Sequence, residues 1–169
     1  MKLWEVLRSF NIKQLWSLSK LCLRNPLKMW PSWKATKKSV AYATTYYGKL
    51  HQQNNPANAF RHAVWNFLIA RNCMKDPSEL ADVLIWTDKI TALHEDLFPN
   101  DPLARAMDLH NNEVGRMLFK KHHSKTEEEA VQLMRSMTKT SRMISDLKEI
   151  EYTPTDQYVH ITNMPDYEG

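Results

Sequence analysis

An all-α, single-domain helical bundle of about six helices around a central apolar helix is the fold this sequence predicts, and three observations predict it. Asn55-Pro56, Asp76-Pro77 and Asp101-Pro102 each set a capping side chain before a proline suited to a first helical turn. The segments that follow carry apolar residues at helical spacing. Only three glycines punctuate 169 residues, and no alternating strand pattern competes with the helices. At 43% hydrophobic and 25% charged, the chain is long enough to bury one sizeable core.

The expected helices span about 11–24, 32–51, 56–74, 77–95, 102–122 and 126–149. The first two belong to a basic arm, residues 1–50, which holds ten Lys/Arg against one acid, Glu5, and four tryptophans, Trp4, Trp16, Trp30 and Trp33. Tryptophan beside lysine on an amphipathic helix suits an anionic membrane surface; equally, the aromatics can pack on the domain while the lysines stay solvated. Both readings stay open. The helical core is expected over residues 51–150, and residues 151–169 form a tail in which Tyr158-Val159-His160-Ile161 has β-like composition.

The helix from Pro56 is apolar on nearly all sides and should be central, with His62 and Asn66 one turn apart on it. Arg61 and Trp65 form a second such pair, suited to stacking or to holding an anion. The next helix carries Leu80, Val83, Leu84, Thr87, Ile90 and Thr91 on a stripe that runs into His94, with Glu95 at its edge. Phe98 stands where a zinc-binding HExxH helix would need its second histidine, so that motif is absent. Within 102–122, Leu103, Met107, Val114, Met117 and Leu118 define an inward stripe flanked by His110 and Asn111. Asp108, Asn112 and Arg116 follow at one-turn spacing. Gly115 in a helix interior costs about 1 kcal/mol relative to alanine and so points to a close approach. The last helix opens at Thr126-Glu-Glu-Glu129, which has the spacing of a capping box, as does Asp76-Pro-Ser-Glu79 earlier in the chain.

Two chemistries suit this set. His62, His94 and His110, with Asp108 and Glu95, would supply ligands and a general base for a divalent metal such as zinc, with Arg61 or Arg116 holding a phosphate. Without a metal, a histidine acts as base, a carboxylate orients it, and Asn66, Asn111 or Asn112 donates to developing negative charge. The competing account is a satisfied polar network tying core helices together in a binding or immunity-type module. No nucleic-acid-binding motif is present, so a nucleic-acid partner is not expected.

The phrases Asn58–Asn66, His94-Glu95 and Met107–Arg116 resemble a family of bacterial domains of unknown function carrying NAFRHAxWN, HE and MDLHNNxxGR, over about residues 55–118. The resemblance implies a bacterial protein and, because related domains also occur at the ends of toxin-like proteins, favours hydrolytic or membrane-directed activity. Arg61-His62 and Asn66 are also similar to the Arg-His-Asp helix of prokaryotic phospholipases A2, but Ala63 replaces the aspartate and the paired cysteines and calcium loop have no counterpart. The expected activity is hydrolysis of a phospholipid or phosphoester. Cys22 and Cys73 read as thiols of a reducing compartment. With no recognisable cleavable signal and no spanning segment, a cytoplasmic or peripheral membrane location is expected.

Overall fold

The computed structural model describes residues 12–98 and 100–164, and it is an all-α bundle. Its longer helices are α1 (Ile12–Arg24), α2 (Pro26–Tyr47), α3 (Pro56–Cys73), α4 (Leu80–Leu97), α5 (Pro102–His122) and α6 (Glu127–Ser136). A two-residue strand β1 (Arg142–Met143), a short helix α7 (Leu147–Glu151) and a second strand β2 (Val159–His160) follow, with β1 and β2 paired in parallel. Trp4 lies outside the described residues.

The expected starts appear where the side chains can cap. Asn55 accepts from the Ala57 and Asn58 amides, and Asp101 from those of Leu103 and Ala104. Thr126 and Glu129 form a reciprocal capping box. Asp76 accepts from the Ser78 amide, but it opens a 3-10 turn, Pro77–Glu79, and the α-helix itself begins at Leu80.

Two boundaries differ from expectation by more than four residues. Helix α2 begins at Pro26 rather than near 32, because Pro26 suits a first turn and Pro31, which could have marked the start, is tolerated inside the helix. Helix α6 ends at Ser136 rather than 149. Beyond it the Thr138 hydroxyl donates to the Arg135 carbonyl at 2.8 Å and the Thr140 hydroxyl to that of Met137 at 3.3 Å, local bonds that favour a 3-10 turn. The chain then extends, and the Arg142 and Ile144 amides donate to the carbonyls of Tyr158 and His160, both at 2.8 Å.

Helix α3 occupies the centre, with every residue from Pro56 to Ala70 buried except Arg61. It packs between α2 and α5, with α4 and α6 completing its surround. The arm's second helix is therefore docked on its inner face. Trp65 Nε1 donates to Thr36 Oγ1 at 2.8 Å, and Trp86 Nε1 to Ser32 Oγ at 3.0 Å, so both buried indoles find a partner in α2.

Where α3 crosses α5, a Cβ added to Gly115 would lie 2.8 Å from the Ala63 Cα and closer still to the Ala63 carbonyl oxygen. The glycine is thus what allows the two backbones to meet. This contact brings the Asn58–Asn66 and Met107–Arg116 phrases together. Among the described residues no helix is long and apolar enough to cross a membrane.

Candidate functional site

The polar residues of α3, α4 and α5 join in a buried network. Asn112 lies at its hub: its Oδ1 accepts from Asn66 Nδ2 at 2.7 Å and from His62 Nδ1 at 3.0 Å, while its Nδ2 donates to Glu95 Oε1 at 3.4 Å. An amide oxygen can only accept, so this network puts the His62 proton on Nδ1. Nε2 then carries the lone pair, and Arg61 donates to it at 2.9 Å. Asn66 Oδ1 accepts from Thr91 and from Arg116, each at 3.2 Å. Arg116 also pairs with Asp88 at 3.1 Å and with Glu113, which settles its charge at the surface edge.

Asp108 sits beside this network rather than in it. Its Oδ1 is 3.3 Å from His62 Nε2, yet it lacks the geometry of a hydrogen bond and is left buried without a hydrogen-bond partner among the described residues. Burial, reinforced by the Glu95 charge and opposed by Arg61, pushes its carboxyl up to about 7. Burial likewise raises Glu95. Burial, followed by the Arg61 charge, holds His62 well below its ordinary range and lowers His94 to about 4. At neutral pH both imidazoles are uncharged and Arg61 is the cation among them, although burial lowers its own pKa.

Arg61, His62 and His94 open onto a cavity of about 160 Å³, whose other walls are Thr36, Ser39, Val40 and Trp65. A second, more apolar cavity of about 200 Å³ adjoins it, with Thr36, Trp65 and His94 shared between the two. Met29, Trp33, Ile69, Ile90, Leu93 and Leu97 line this second space. His94 stacks edge-on against Trp65, ring centres 5.0 Å apart, and lies 4.8 Å from Phe98.

The structure thus brings together Arg61, His62, Asn66, His94, Glu95, Asp108, Asn112 and Arg116. It sends His110 and Asn111 elsewhere. His110 Nε2 donates to the Gln157 carbonyl at 2.9 Å, and Asn111 exchanges two hydrogen bonds with the Val159 backbone, at 2.9 and 3.1 Å. Asn111 behaves as a strand edge would, fixing the tail on α5.

The three histidines expected to share a metal do not all come together. His62 has both ring nitrogens engaged, His110 faces the tail, and among the described residues no three His, Cys, Asp or Glu side chains are arranged to hold a metal ion. Asp108, Asn112 and Arg116, one turn apart on α5, reach across to α3 and α4 instead of to one another. Thr36, Ser39 and Val40 escaped sequence reading because their helix looked like a separate arm. Trp65, whose indole needed an acceptor, carried a signal that could have led to Thr36. Ala63, in place of the phospholipase aspartate, is fully buried where α5 crosses.

These features define a helical domain with a polar network at its centre and a histidine-arginine cavity at its flank. The chain belongs to a family described as a domain of unknown function, DUF6973, which it matches over residues 19–142. That span takes in all of α2 to α6, and with them both cavities. No curated protein and no solved structure matches the chain.

Proposed function

We propose that the cavity is an acid–base site that hydrolyses a phosphoester, a phospholipid being one such substrate. The observation that carries this reading is the shared cavity of Arg61 and His94, a guanidinium beside an uncharged imidazole, adjoining an apolar space. Arg61 would hold the phosphoryl oxygens by paired hydrogen bonds. Burial chiefly lowers His94 and the Arg61 charge adds to it; a bound phosphate would offset that second contribution and so raise the imidazole's basicity. His94 would take a proton from the attacking water. It would return that proton to the leaving alcohol as the P–O bond breaks.

The remaining residues position this pair. Asn112 holds His62 in one tautomer, His62 Nε2 anchors Arg61, and the Asp108 and Glu95 carboxyls, when ionised, favour the charged guanidinium. The test is hydrolysis of bis(p-nitrophenyl) phosphate and of a short-chain, water-soluble phospholipid. We expect turnover that drops about 100-fold or more in His94→Ala, the scale of a lost general base, and is abolished in Arg61→Gln. Absence of turnover, or turnover unchanged in His94→Ala, overturns the reading.

A second reading, a non-catalytic interaction module, draws support from the saturation of Asn66 and Asn112 by protein partners. On that reading Asn112→Ala lowers stability and the parent protein turns over neither substrate.

A further inference from the structure

Helix α2 buries one face against α3 and, among the described residues, leaves the other without a packed partner, and that outer face is apolar and basic together. Leu27, Trp30 and Trp33 follow at three-residue spacing and are 78%, 63% and 50% exposed. Lys34 lies 5.5 Å from the Trp30 ring centre and Lys37 5.4 Å from that of Trp33, so each indole is roofed by an ammonium rather than by core. Helix α1, next to α2 in the fold, also exposes large apolar side chains, Trp16 at 68% and Leu23 at 80%. No acidic residue occurs between positions 12 and 47.

Exposed tryptophans cost free energy in water, and partial shielding by lysine stems recovers only some of it. Indoles and ammonium groups side by side match the boundary between acyl chains and anionic headgroups. The same edge of α2 also frames the cavities: Trp33 lines the apolar one and Val40 the polar one. A surface lying on this face would therefore touch the cavity walls.

We propose that the outer face of α1 and α2 docks on an anionic lipid bilayer, and that docking presents the apolar cavity to acyl chains and Arg61 to the phosphate of a membrane phospholipid. The choice of substrate rests on the phosphoester reading; the docking does not. Lipid, rather than a protein groove, is favoured because α1 and α2 themselves carry no acid and mix their charges with their aromatics instead of ringing an apolar centre with polar residues.

The experiment is co-sedimentation of the full chain with phosphatidylglycerol/phosphatidylcholine vesicles and with pure phosphatidylcholine vesicles, across a sodium chloride series. Binding is expected to anionic vesicles at low salt, with release as screening rises and a blue shift of tryptophan emission on binding. At roughly 1 kcal/mol per basic residue, Lys34→Glu/Lys37→Glu should weaken partitioning by about tenfold or more. Trp16→Ala/Trp30→Ala should weaken it similarly while leaving hydrolysis of a water-soluble phosphodiester unchanged, since neither residue lines a cavity. Arg61→Gln should still bind vesicles.

Protein remaining in the supernatant at low salt overturns the proposal, as does binding unaffected by either double variant. A solution dimer that shields Trp16 and Trp30 from quenchers also overturns it, because a second copy would then occupy the face. Vesicle binding without turnover upholds docking and removes the phosphoester reading. Turnover of soluble substrate without vesicle binding does the reverse.

Discussion

Asp108 lies 3.3 Å from His62 Nε2, within reach of Arg61 and Glu95, in a space too dry to solvate its charge. Its carboxyl is raised from 3.8 to about 7, so between those values the folded protein holds a proton that the unfolded chain has lost. Its contribution to stability is therefore fully present below its ordinary pKa and is lost as pH rises through about 7. Asp108→Asn keeps the shape without the titration. The variant should gain on the parent as pH rises over that window and level off above it, measured as the difference in urea midpoints across a pH series. A difference independent of pH would show that Asp108 does not titrate as its burial requires. His62 and His94, both lowered, act with the opposite sign in both proteins, so the comparison cancels them. Part of this setting is legible in sequence, because His94 lies on an apolar stripe and His62 pairs with Asn66 at one-turn spacing. Periodicity says which residues turn inward but not which partner they meet. That is why His110 and Asn111, equally inward, go to the tail.

At the level of helices, the crossing of α3 and α5 fixes the network. Gly115 admits the Ala63 backbone so closely that an added methyl would meet main chain, which cannot rotate aside. Gly115→Ala should therefore destabilise the fold by about 1–3 kcal/mol despite alanine's better helix propensity, read from chemical denaturation. It should also disturb the bond from His62 to Asn112, since these lie one residue before Ala63 and three before Gly115. An unchanged midpoint would mean that the helices can separate freely. The crossing was legible as an anomaly, a glycine where helix chemistry disfavours one. Most helix starts were equally legible, because Asn or Asp before proline acts within a few residues of chain. The end of α6 was not, as it depends on threonine hydroxyls folding back and on the pairing of Arg142 and Met143 with Val159 and His160, far along the chain.

At the scale of the whole molecule, the tryptophans among the described residues divide into two populations. Trp65 and Trp86 are buried, 9% and 2% exposed, with both indoles hydrogen-bonded, whereas Trp16, Trp30 and Trp33 face outward. Iodide should quench the folded protein's emission in two classes, and Trp16→Phe/Trp30→Phe/Trp33→Phe should remove most of the accessible class. A single uniform class would mean that the outer face is covered in solution. The same molecule also joins its tail to its centre along a short route. The Ile161 and Thr162 amides hold the Asn54 carbonyl at 2.8 and 2.9 Å, just ahead of α3, and Asn111 grips Val159 from α5. The next residue, Asn112, grips His62. Tension applied at residue 164 would thus enter the bundle at α3 and α5 together, one residue from the side chain that holds the histidine, and the cavity of Arg61 and His62 would feel a mechanical load before any helix unfolded.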